Sequence, residues 1–225
     1  MDSVSETSAA HGGALPRTAQ RRSGHVASVT ALHVDGRLER VEAADIDRAR
    51  AEQAVRDLLA ALGRDVGDDG LRETPRRVAG AFAELLSHDP VSLTTFANDA
   101  GYDELVVVKG IPFHSLCMHH LLPFHGVAHV AYLPGDRIIG LSKLARVVES
   151  FARDLQLQER LTMQVADCLQ SHLHPKGVGV VIEAEHMCMS LRGVQKPGAR
   201  TTTSALLGLL RDDARTRGEF LSLVR

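Results

Sequence analysis

Two short clusters in the C-terminal half hold the residue types best suited to chemistry: Cys117-Met118-His119-His120 and His186-Met187-Cys188. They contain two of the three cysteines and three of the twelve histidines of this 225-residue chain. Thiolate and imidazole together suit zinc among the common metals, and a zinc shell needs about four ligands. His186 and Cys188, two apart after the β-branched run Val178 to Ile182, are expected to share one face of a strand. His119 and His120 are adjacent, so in extended chain they diverge and one of them is the better ligand. The economical set is Cys117, one of the two histidines, and Cys188. That leaves the shell one ligand short, with water in the open position and spare imidazoles nearby to move protons. Water on such a metal ionises near neutral pH, so the pattern is that of a metal-assisted hydrolase. A closed structural site would show repeated Cys-x-x-Cys, and the zinc-protease His-Glu-x-x-His and the deaminase signature are absent. Cys168 falls in the helical apolar series Leu161, Val165, Cys168 and is read as core.

Anion-binding groups follow the first cluster. Ser142 is expected to cap a helix, with Lys143 and Arg146 one turn apart on one face beside the free N–H groups of its first turn. Taken alone this is an ordinary amphipathic helix, but with a metal site it becomes a phosphate cradle. Arg192 lies four residues past Cys188. Gln158-Glu159 opens the next helix, and a carboxylate there can accept two hydrogen bonds from adjacent N–H donors such as those of guanine.

The elements that must position these residues are read from periodicity and breakers. Residues 1–42 are rich in Ser, Ala, Gly, Thr and Arg without sustained periodicity and read as a disordered tail. A helical region over 43–96 holds one helix from Ala44 to Leu62 and another from a Thr74 cap and Pro75 to before Pro90. The catalytic domain, 97–225, starts with strands at Leu105–Val108 and Gly126–Leu133, the latter turning at Pro134-Gly135-Asp136 into a hairpin with Arg137–Ile139. Helices at Ser142–Arg153 and Leu157–Leu173, a strand at Val178–Met189, and a final segment from Thr202 with a helix over Arg215–Leu223 complete the chain. Strands grouped around two helices read as α+β with an antiparallel sheet.

A net charge of −2 gives no basic field for nucleic acid or anionic membrane. Three cysteines argue against a disulfide framework, and no apolar run reaches transmembrane length. The expected location is the cytoplasm.

The ordered combination resembles the GTP cyclohydrolase I family. The matching stretches are FHSLCMHHLLPFHGVAHVAYLPG, IIGLSKLARVVESFARDLQLQERLT and GVGVVIEAEHMCMSLRGVQKPGARTTTSA, with a weaker RETPRRVAGAF before them. The resemblance implies a T-fold, an antiparallel sheet with two helices on one face, after an N-terminal helical hairpin. It implies a homodecamer of two pentamers. It also implies hydrolysis of GTP to 7,8-dihydroneopterin triphosphate and formate, the first step of pterin and folate-type synthesis. By motif it makes Cys117, His120 and Cys188 the zinc ligands, and His119 and His186 the proton-transfer residues. Gln158 and Glu159 become the guanine-binding pair. Ser142, Lys143, Arg146 and Arg192 become triphosphate and ribose contacts, with Arg77 reaching in from a neighbouring subunit. Two positions depart from the family: Met118 stands where relatives carry glutamate, and Gly80 where they often carry a basic residue. Such departures also fit a paralogue acting on another purine nucleotide or stopping at the formamide stage. A non-catalytic zinc-binding T-fold subunit is the remaining alternative.

Overall fold

The computed structural model describes residues 37–38, 46–88 and 91–225, all within one compact unit spanning 31–225. The expected tail, the first residues of the expected first helix, and Pro90 fall outside the described residues apart from 37–38. There, β1 (Arg37–Leu38) pairs antiparallel with β2 (Val91–Ser92). Between them, α1 (Arg48–Ala61) and α2 (Thr74–Leu85) pack on each other. Asp47 starts α1 by accepting the Arg50 N–H, which leaves Ile46 before the helix. Thr74 is the first residue of α2 rather than its cap, which is Glu73.

The next elements build the sheet. They are β3 (Thr95–Ala97), β4 (Val106–Cys117), β5 (Pro123–Leu133) and β6 (Arg137–Ile139), then α3 (Leu141–Ala152), β7 (Leu155–Gln156) and α4 (Gln158–Leu173). The chain ends with β8 (Gly177–His186), α5 (Met187–Ser190), β9 (Arg200–Gly208), α6 (Leu209–Asp212) and α7 (Ala214–Leu223). The main sheet has the order β7-β4-β5-β8-β9, antiparallel except for the short parallel contact of β7 with β4. The α+β expectation holds.

Alternation explains which face is covered. Phe124, Ala128, Val130 and Tyr132 of β5 share one face and are buried against α3 and α4. Leu144, Val147 and Val148 supply the apolar stripe of α3, and Leu161, Val165, Cys168 and Leu169 that of α4. On the other face Ala131 and Val181 pack under Leu210, Phe220 and Val224, so α6 and α7 cover the end of the sheet remote from His186. Gly179 makes that cover possible, since a Cβ there would lie 2.7 Å from the Phe220 ring. Closer to His186, Gly126 of β5 lets β8 approach so tightly that a Cβ would fall 1.9 Å from the Glu183 carbonyl oxygen.

Three expectations are corrected. Arg137–Ile139 does not form a hairpin with β5; it pairs with β3, so the turn at 134–136 redirects the chain to a separate ladder. Ser142 is the second residue of α3, and the extended Gly140 occupies the cap position without a side-chain bond. The strand beginning near Val178 stops at His186 and becomes the helical turn α5. α1 packs on α2 without fully burying any of its own residues. No described helix is long and apolar enough to cross a membrane.

Candidate functional site

Cys117 ends β4 and is buried, and the chain reverses immediately after it. The Cys117 carbonyl accepts the N–H groups of His120 at 3.2 Å and Leu121 at 2.8 Å, while its own N–H donates to the Leu122 carbonyl at 2.9 Å. Leu121 takes a left-handed φ of 57° to close this turn. The two histidines therefore do not diverge from an extended strand; the turn folds both back toward Cys117. Its sulfur lies 3.7 Å from His120 Nδ1 and 3.9 Å from His119 Nδ1. Met118 N–H donates to the Gln156 carbonyl at 3.1 Å, which ties the turn to β7. Gln156 is in turn buried and bonded through its side chain to Phe151, Gln164 and Arg160.

The second cluster arrives by a different route. His186 is the last residue of β8, opposite Phe124 of β5, and the two rings stack with centroids 4.6 Å apart and planes 2° from parallel. Cys188 sits within α5, so the expected shared strand face does not bring it to Cys117; the helical turn does. The two sulfurs lie 4.0 Å apart. Cys117, His120 and Cys188 are the one group of three or more His, Cys, Asp or Glu ligands drawn together among the described residues, with all ligand atoms within 4.8 Å of one another.

These donors fit a metal. A tetrahedral ion with metal–sulfur bonds of about 2.3 Å has ligand–ligand edges of about 3.8 Å. The two edges to Cys117, 3.7 and 4.0 Å, bracket that value, and the third lies within 4.8 Å. Burial first, and then the neighbouring Cys117 sulfur, push the Cys188 thiol up, while Arg192 opposes them. A bound divalent cation reverses that balance, because a coordinated thiol loses its proton. Burial also pushes His186 down, against the pull of the Glu159 charge. Cys168, buried in α4 away from this group, has its thiol pushed up to about 12 by burial alone, as suits a core residue.

The substrate-binding candidates are placed unevenly. Glu159 is exposed in the first turn of α4 and close enough for its charge to act on His186. Gln158 beside it is instead 2% exposed, with its side chain wholly engaged inside the protein. Ser142 and Arg146 are exposed and Lys143 half-buried in the first turns of α3, and Arg192 is exposed after α5. None of Lys143, Arg146, Arg192 and Arg77 forms an ion pair among the described residues, so their charges are free for an anion. Arg77 is exposed on α2 and makes no hydrogen bond to the Cys117 group among the described residues. Sequence reasoning missed the tie between Gln158 and His186 and the stacking of Phe124. Only the register of β5 on β8 reveals the second.

The family model for GTP cyclohydrolase I matches residues 51–225, most of the chain. The chain belongs to the GTP cyclohydrolase I family. It is 55% identical over 183 residues to GTP cyclohydrolase 1 of Mycolicibacterium paratuberculosis, covering 79% of this chain and 90% of that protein. GTP cyclohydrolase 1 of Thermobifida fusca is 54% identical over 186 residues, covering 80% and 90%. That of Mycobacterium tuberculosis is 55% identical over 183 residues, covering 79% and 91%. Among solved structures, the archaeosine synthase QueF-Like in the apo form aligns at 19% identity with a TM-score of 0.37, covering 46% of this chain and 93% of that one. That score is too low to bear on the fold.

Proposed function

We infer that the protein is a GTP cyclohydrolase I, hydrolysing GTP to 7,8-dihydroneopterin triphosphate and formate at the head of pterin and folate-type synthesis in the cytoplasm. The observation that carries this reading is the incomplete ligand group of Cys117, His120 and Cys188, with His119 3.9 Å from the Cys117 sulfur and His186 two residues before Cys188. It stands in a chain more than half identical to GTP cyclohydrolases over most of its length. Zinc is the metal these donors suit, and when bound it supplies Lewis acidity and an activated water. His119 and His186 move protons to and from the purine, protonating N7 as the imidazole ring opens. Glu159 accepts the N1 and N2 hydrogens of guanine. Ser142, Lys143 and Arg146 at the start of α3, with Arg192, take the triphosphate and ribose, and Arg77 reaches the phosphates of a neighbouring subunit. Residues 97–225 form the T-fold domain behind the helical region 43–96, and the assembly is a homodecamer.

Met118 favours a second reading. The family's usual Cys-Glu-His-His reads Cys-Met-His-His here, which removes a carboxylate beside the ligands. Its loss fits a paralogue of altered rate or product.

The test is to incubate zinc-loaded protein with GTP, quantify formate, and record pterin fluorescence after oxidation. Formate with fluorescence is expected. Ring-opened product without formate replaces this reading with the truncated reaction, and neither product overturns it.

A further inference from the structure

Gln158 is the first residue of α4, buried where β8 and β9 run beneath the helix. Its side-chain nitrogen donates to the carbonyl oxygens of Ile182 at 3.1 Å and Thr201 at 2.9 Å, and lies 3.1 Å from Thr203 Oγ1. Thr203 Oγ1 is 2.6 Å from Thr162 Oγ1, and the Thr162 hydroxyl donates to the Gln158 backbone carbonyl at 2.7 Å. A hydroxyl has one hydrogen. With that of Thr162 committed to a carbonyl, Thr203 must donate to Thr162 and turn its lone pairs to the amide. Every acceptor around this end of Gln158 therefore requires a donor. Reversing the amide would set its oxygen against two carbonyl oxygens at about 3 Å and take the donor from both.

The orientation is thus forced, and its other end decides the state of a histidine. Gln158 Oε1 lies 2.8 Å from His186 Nε2. An amide oxygen only accepts, so Nε2 carries a hydrogen. A neutral imidazole has one N–H, which leaves the lone pair on Nδ1. We propose that Gln158 is a positioning residue: anchored by the β8 and β9 carbonyls, it locks His186 as the Nε2–H tautomer and makes Nδ1 the nitrogen that exchanges protons. Phe124, stacked flat against the ring, fixes its plane, and Gln158 fixes its rotation within that plane. A side chain bonded at both ends and 2% exposed has no group left for guanine, so Gln158 acts through His186 rather than on the base. This deepens the functional reading above and rests on its assignment of His186 to proton transfer.

Two measurements test it. A neutron structure of the zinc-loaded protein grown in D2O is expected to show deuterium on His186 Nε2 and on the Gln158 nitrogen facing Thr201. Deuterium on Nδ1 with a bare Nε2 overturns the proposal without any variant. Gln158→Met keeps the volume and removes the hydrogen bonds at both ends of the side chain. It is expected to lower kcat by about 10- to 100-fold, the range for groups that orient a site residue. Zinc content and GTP KM should stay within about threefold of the parent, as for an interaction not made to the bound substrate. A raised KM at unchanged kcat makes Gln158 a guanine contact and overturns the proposal, as do parental kinetics. If Gln158→Met fails to fold, the neutron map decides. A parent that releases no formate would sink the functional reading while the map still settled the tautomer.

Discussion

His120 and His119 differ by one position in the chain, and the structure separates them by reach. A His120 ring nitrogen joins both sulfurs within 4.8 Å, whereas His119 is not in that group and lies 3.9 Å from the Cys117 sulfur. Cys188→Ala is therefore expected to lose the metal. His119→Ala and His186→Ala should keep it and lose turnover, read by atomic absorption beside the formate assay. Met118 is tied through its backbone while its side chain is partly exposed. Met118→Glu should leave stability within about 0.5 kcal/mol, as for surface changes, and shift only kcat. Residue types announced the ligands in the sequence, but the geometry offered for them was wrong twice. Neither a shared strand face nor extended divergence operates; a turn closed by the Cys117 carbonyl and a helical turn at Cys188 do. The task of Gln158 could not be read at all. It depends on two carbonyls, of Ile182 and Thr201, that come together only when β9 pairs with β8.

At the scale of elements, β5, α3 and α4 were legible because one periodicity ran through each. The partner of β6 was not, since a Pro-Gly-Asp turn signals reversal without saying which strand receives it, and the receiving β3 lies about 40 residues earlier. The sequence marks Gly126 only as the first residue of the expected strand Gly126–Leu133. Gly126→Ala is expected to destabilise the protein by about 3 kcal/mol or more, because its methyl would overlap backbone that cannot yield. Urea unfolding measures it, and an unchanged midpoint would mean that β8 can shift outward. Asp213 caps α7, accepting from the N–H and hydroxyl of Thr216, and these bonds hold its carboxyl below the usual range. Its contribution is fully present above the ordinary aspartate value of about 4 and is lost as pH falls through the lowered one. Asp213→Ala should thus lower the melting temperature at pH 7, and the gap to the parent should narrow in strong acid.

For the molecule as a whole, the unfinished surfaces matter most. The sheet ends at β9, nine residues long with no strand on its outer side among the described residues, and β7 covers only the last two residues of β4. Long open edges recruit further strands, and α1, packed on α2, fully buries none of its own residues. Sedimentation is expected to give a species ten times the mass of the chain, and a stable monomer would refute the decamer. The distance along the chain between the two thiols has a separate consequence. Cys117 and Cys188 are 71 residues apart. An ion gripping both acts as a staple across the chain from β5 through β8. A covalent cross-link over that span would remove chain entropy worth about 4 kcal/mol from the unfolded state. Melting should therefore track free zinc concentration, rising logarithmically once the site is saturated. A chelator would then loosen the middle of the protein as well as silence its chemistry.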